Sequence, residues 1–288
     1  MALPGAMILF VFNYLPMAGI LITFKDYTAR NGFFGSPWVG FKNFDFFFAS
    51  QDAWRITRNT LGYNATFILL GLVVSIAFAL MLNEIRSRSA LKYYQTAFFF
   101  PYFLSWVVAG YALYAFLDTD QGVINDLLGR FGIEAKSWYT ENGYWPPILI
   151  LANLWKTVGY YSVIYYAGLM GIDRQLYEAA MIDGANTWQK IWRISLPMLA
   201  PLITLLVILQ IGRIFYADFG LFYFLPRNIG LLYKTTDVID TYVFRSLRVT
   251  GNIGMASAAN FYQSVMGFLL VLLSNWIVKK TNAENAIF

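Results

Sequence analysis

Six runs of this chain stay apolar for about the length of a membrane crossing, and nothing else in the sequence limits its fold as strongly. They cover roughly 2–24, 57–82, 93–117, 147–170, 198–217 and 259–278. At about 1.5 Å of rise per residue, some 20 apolar residues in a helix reach across roughly 30 Å of hydrocarbon. With 58% hydrophobic and only 13% charged residues, the chain cannot hide its apolar groups in one water-soluble core. The expectation is a multi-pass, all-α membrane protein, with residues 1–288 forming a single transmembrane domain. It contains no cysteine and no histidine. That removes disulfides, thiol catalysis and the usual general base and zinc ligands, so metal and catalytic residues are both expected to be none. The basic residues are scattered between apolar runs rather than gathered on one soluble face, which speaks against nucleic acid.

The first run could be taken for a signal peptide. It has no basic leader, contains Pro4, Asn13 and Pro16, and is followed by no small-residue cleavage site before Lys25. It reads as a true span, and the missing leader points to a start downstream of the natural terminus. Lysine and arginine density in the loops favours an N-terminus on the inside. The cytoplasmic pieces are then 83–92, 171–197 and the tail, and the outer pieces are 25–56, 118–146 and 218–258. The outer pieces read as structured. Segment 33–48 is rich in aromatics and is expected to lie along the interface, residues 122–132 form an amphipathic helix ended by glycine, and 235–247 form another helix with a Thr/Asp start.

The cytoplasmic stretch EAAMIDGANTWQKIWRISLP, residues 178–197, is the least hydrophobic link between two spans. Asp173 is a good cap for a helix from Arg174, and Gly184 can take the left-handed conformation that stops it. Asn186 or Thr187 can cap a second helix in which Trp188, Ile191 and Trp192 make one apolar stripe beside Lys190 and Arg193. Pro197 falls where the next span starts, and a first helical turn tolerates it. An amphipathic helix lying on the membrane with no partner would also fit these residues.

The same residues resemble a known pattern. ATP-binding-cassette importer permeases carry E-A-A, three residues, G, nine residues and I-x-L-P in the cytoplasmic loop before their second-last core span. Here the positions are Glu178, Ala179, Ala180, Gly184, Ile194, Leu196 and Pro197, with no departure in spacing. The six-span core is similar to the maltose-type permeases, that is, to the type I importer fold. NYLPMAGILITFKDY (13–27), GSPWVGFKNF (35–44) and IGRIFYADFGLFY (211–223) resemble the branch that imports complex polysaccharide fragments, alginate importers among them. The resemblance implies that the loop is a coupling helix seated on a cytoplasmic ATPase subunit present in two copies. It further implies a second homologous permease subunit and an extracytoplasmic binding protein that delivers oligosaccharide. The chain has no G-x-x-x-x-G-K-[ST] phosphate loop. No cofactor is therefore expected in it, and ATP and Mg would be bound by the partner subunits.

Polar groups inside spans are costly and mark function by default. Asn153, Lys156 and Tyr160 share a face of the fourth run, Arg213 and Tyr216 one of the fifth, and Asn260 and Gln263 one of the sixth. Asn59, Tyr63 and Asn64 cluster near the outer end of the second. These residues read as a midplane cavity that binds sugar hydroxyls with amides and stacks pyranose faces on tyrosine, with helix–helix hydrogen bonding as the plain alternative. Lys156 and Arg213 would suit an acidic sugar, unless Arg213 pairs with Asp218. The expected function is import of oligosaccharides, acidic ones included. The alternatives are another solute such as a peptide or glycerol phosphate and, at a greater distance, an ion-coupled secondary transporter. The latter would want a membrane carboxylate that these spans lack.

Overall fold

The computed structural model describes residues 3–281, and among them there is no β-strand, only an isolated bridge between Lys25 and Trp38. The helices in chain order are α1 (Leu3–Phe24), α2 (Lys42–Ala49), α3 (Gln51–Asn83), α4 (Arg88–Phe103), α5 (Trp106–Leu117) and α6 (Val123–Arg130). They continue as α7 (Trp145–Met170), α8 (Arg174–Ile182), α9 (Thr187–Ile211), α10 (Phe219–Phe224), α11 (Ile239–Thr250) and α12 (Ile253–Thr281). Four of them, α1, α3, α9 and α12, are long and apolar enough to cross a membrane.

The other two predicted spans behave differently. The run 93–117 is not one straight helix: α4 and α5 meet at 97° across Leu104 and Ser105. Leu104 is extended, with φ −71° and ψ 134°, and the Ser105 hydroxyl caps α5 by accepting from the Val108 N–H at 3.3 Å. The run 147–170 does form a helix, α7, of 26 residues, but a less apolar one. Its tyrosines, asparagine and lysine are buried or half-buried where α7 packs against α3 and α4, while Leu151 and Trp155 on the same helix are exposed. At Gly159 the approach is so close that a Cβ would sit 1.8 Å from the Phe98 carbonyl oxygen. The run 198–217 is shorter than read, because the helix ends at Ile211 and residues 212–218 unwind. Around Pro16, α1 passes from α to π to 3-10 geometry, the local adjustment a missing N–H requires.

On the side read above as outer, α6, α10 and the chain before α11 close over the bundle. Trp145, Leu149, Leu221, Leu225, Leu232 and Val238 form a core there that is almost inaccessible to solvent. The helix expected over 235–247 is broken in two: a single turn, Tyr233–Thr236, ends where Asp237 and Val238 are extended, and α11 starts at Ile239. The Thr236 hydroxyl donates to the Leu232 carbonyl, and Asp237 is buried between Arg55 and Arg245, 3.3 and 2.6 Å away. Within 33–48 the structure gives a short turn at Gly32–Gly35 and then α2, and the side chains of 46–48 lie outside the described residues.

Candidate functional site

A cavity of about 500 Å³ opens between α3, α7 and the end of α9. Its polar lining comprises Asn64, Asn153, Thr157, Gln210, Arg213 and Asp218, and its aromatic lining includes Tyr160, Tyr161 and Tyr216. Four of the seven residues read as substrate-binding therefore meet here: Asn153, Tyr160, Arg213 and Tyr216. Arg213 sits in the unwound stretch after α9, and among the described residues it makes no ion pair. The suspected partner Asp218 is engaged elsewhere. Its carboxylate caps α10 by accepting from the Gly220 and Leu221 N–H groups, and it accepts from the Trp106 indole at 2.6 Å. Tyr160 lies flat against Tyr102, ring centroids 4.5 Å apart and planes at 11°.

The other three lie elsewhere, each for a physical reason. Lys156 points to the break between α4 and α5. Its ammonium donates to the carbonyl oxygens of Tyr102 and Leu104 and stands 4.9 Å over the Trp106 ring. A helix end in hydrocarbon has no water for its last carbonyls, and the lysine supplies their donors. Gln263 does the same for the unwound stretch, donating to the Phe215 carbonyl at 2.6 Å, while Asn64 donates to the carbonyls of Ile214 and Tyr216 at 2.7 and 3.0 Å. Asn260 is exposed and lines a separate cleft against α1, beside Ser257 and Ser264. In the second run, Asn59 and Tyr63 bond to backbone carbonyls of the outer segment at Asp237 and Thr235. Gln210 and Tyr161 were missed by the sequence reading. Gln210 had a signal, a lone amide in an apolar run three residues before Arg213.

The hairpin forms at the other end of the molecule. The Asp173 carboxylate accepts from the Gln175 N–H at 2.9 Å and starts α8. Gly184 has φ +79°, and the N–H groups of Gly184 and Ala185 return to the carbonyls of Met181 and Ala180 at 3.1 and 2.8 Å. That pair of bonds is the glycine stop in which only a residue without Cβ avoids steric cost. Asn186, not Thr187, caps α9, exchanging bonds with Gln189 at 2.9 and 2.8 Å. Beyond it there is no second start at Pro197, because α9 runs on through a π-helical segment, Ile191–Ser195, in which the Leu196 N–H reaches the Ile191 carbonyl. Tyr177 and Ser195 join α8 to α9 through their hydroxyls at 2.9 Å. Ile182, Trp188 and Trp192 are 87%, 70% and 65% exposed, a large apolar surface that none of the described residues covers.

Residues 68–283 match the model of the family described as "Binding-protein-dependent transport system inner membrane component". The polygalacturonan/rhamnogalacturonan transport system permease protein YteP of Bacillus subtilis is 34% identical over 284 residues, 99% of this chain and 88% of that protein. The crystal structure of a bacterial ABC transporter involved in import of the acidic polysaccharide alginate superposes with TM-score 0.89 at 33% identity, covering 98% of this chain and 94% of that one. A second structure, of bacterial alginate ABC transporter in complex with an alginate pentasaccharide-bound periplasmic protein, gives TM-score 0.87 at 33% identity over 98% and 93% of the two chains. The chain belongs to this inner-membrane permease family of ABC importers and carries its type I fold.

Proposed function

We propose that this protein is the membrane half of an importer for acidic oligosaccharides, with Asn153, Tyr160, Arg213, Tyr216, Gln210 and Tyr161 facing the passing chain. The observation that carries this reading is Arg213, a guanidinium without an ion pair, set among amides and tyrosines in a 500 Å³ cavity. A guanidinium offers a planar fork that matches a carboxylate, and tyrosine faces with amide donors suit pyranose rings and hydroxyls. The uronate-bearing substrates named for two relatives support the same class. Glu178, Ala179, Ala180, Gly184, Ile194, Leu196 and Pro197 form the face through which two cytoplasmic ATPase subunits drive the cycle, and ATP and Mg are bound by them. A second permease completes the cavity, and a loaded binding protein delivers sugar to the outer side.

The test is uptake by the reconstituted importer. ATP hydrolysis should rise with binding protein loaded with oligogalacturonate or oligoalginate, and labelled sugar should enter only with ATP. Arg213→Gln should lower uptake of the acidic chain by roughly tenfold or more, the value of a hydrogen bond to a charged group. Uptake driven by a sodium or proton gradient alone would sink the proposal.

A further inference from the structure

We propose that a second, smaller pocket on the outer side holds one acidic sugar unit of the incoming chain before it reaches the main cavity. This step rests on the function proposed above. The pocket, about 290 Å³, lies between α5 and α10, and Val107, Gly110, Tyr111, Tyr223, Arg227 and Asn228 line it. Its size is near the lower end of the roughly 300–1,000 Å³ of small-molecule sites, enough for part of a chain rather than all of it.

Three features give the pocket its chemistry. First, the segment that ends α10 bends Arg227 and Asn228 into the left-handed region, at φ 56° and 51°. Glycine takes that conformation without steric cost and arginine does not, so the arginine is there despite its backbone. Second, the guanidinium lies 4.0 Å over the Tyr114 ring and makes no ion pair among the described residues. The acid near it, Asp118, is beyond ion-pair distance and feels the Arg227 charge only at longer range, while its carboxylate accepts from the N–H groups of Asp120 and Gln121 at 3.0 Å each. Third, the Asn228 side-chain oxygen accepts from the Tyr233 hydroxyl at 3.0 Å and from Arg245 at 3.4 Å, and its amide N–H₂ donates to none of the described residues.

A carboxylate would meet the Arg227 fork, a neighbouring hydroxyl the Asn228 amide, and a sugar face the 70%-exposed Tyr111 ring. Lipid tails could satisfy neither the guanidinium nor the amide. The pocket is also next to the proposed route. Val107 adjoins Trp106, whose indole donates to Asp218 in the lining of the main cavity, so the walls of the two sites are joined by one hydrogen bond.

The experiment uses the complete importer in proteoliposomes with labelled tetragalacturonate. Arg227→Gly removes the guanidinium while easing the backbone, so the protein should fold, and Arg227→Lys keeps the charge without the fork. Sugar imported per ATP hydrolysed should fall about tenfold or more in Arg227→Gly and by less in Arg227→Lys. Stimulation of hydrolysis by the loaded binding protein should persist in both. Unchanged uptake in Arg227→Gly overturns the proposal. So does dissociation of that variant's permease pair, which would make the pocket a seam between subunits. If the unmutated importer carries only neutral chains, the failure lies in the function proposed above and is visible with no mutation.

Discussion

Asp237 is the most demanding single position outside the cavity. It is 1% exposed, faces two guanidinium groups and accepts from the Thr241 hydroxyl at 2.8 Å. Breaking a buried ion pair typically costs about 3–5 kcal/mol; here Arg55 would keep Asp52 at 2.8 Å and only the 19%-exposed Arg245 would lose its ion pair, so the loss should fall at the lower end of that range. Asp237→Asn should therefore lower the thermal midpoint of the purified protein well below that of Arg248→Gln, which serves as a surface control. Asp240, on the outer helix α11, behaves in the opposite sense. Burial pushes its carboxyl above the ordinary value, despite bonds from the Ala217 N–H and the Gln263 amide. An acid whose folded value is raised takes up a proton more readily folded than unfolded, so its contribution to stability grows as pH falls from neutral toward the usual carboxylate range. Asp240→Asn should flatten that part of the stability–pH curve, and an unchanged curve would remove Asp240 as its source. Among these residues the sequence was informative where a local rule applied. Gly184 and Asp173 could be read because a helix stop and a helix cap are decided within a few residues. Lys156 and Gln263 could not, because each serves a backbone break in another part of the chain.

The helices show the same division between local and distant causes. Apolar length alone marked α1, α3, α9 and α12. The 97° bend between α4 and α5 has no strong local signal, since Pro101 lies within α4 and Ser105 is an ordinary cap. Lys156 on α7 donates to the carbonyls at the break, so Lys156→Met should leave two of them without that donor at about 1–3 kcal/mol each. The expected result is a lower midpoint and slower uptake, with the affinity for loaded binding protein unchanged. Close helix approach is a further element-scale property hidden from periodicity. Gly159→Leu would drive a side chain into the Phe98 backbone, and it should reduce folded yield far more than Gly62→Leu, where a Cβ meets nothing within 4 Å.

For the whole molecule, the hairpin and the cavity lie at opposite ends of α9, which runs without interruption from Thr187 to Ile211. On the function proposed above, a load applied at Trp188 would reach the unwound stretch of Arg213 through this one helix. Gly184→Val would force a β-branched residue into the left-handed region, at roughly 1–2 kcal/mol locally. It should separate ATP hydrolysis from uptake while the spans stay folded. Normal coupled uptake in that variant would remove Gly184 from the linkage. The right angle at Leu104 gives the opposite side of the bundle a different kind of leverage. Two arms joined at 97° are nearly perpendicular, so sliding of α4 along its own axis would carry α5 across its own length. The pocket wall that Val107, Gly110 and Tyr111 supply would then travel broadside-on with any displacement of α4, its whole face carried at once rather than drawn past its neighbours end-on.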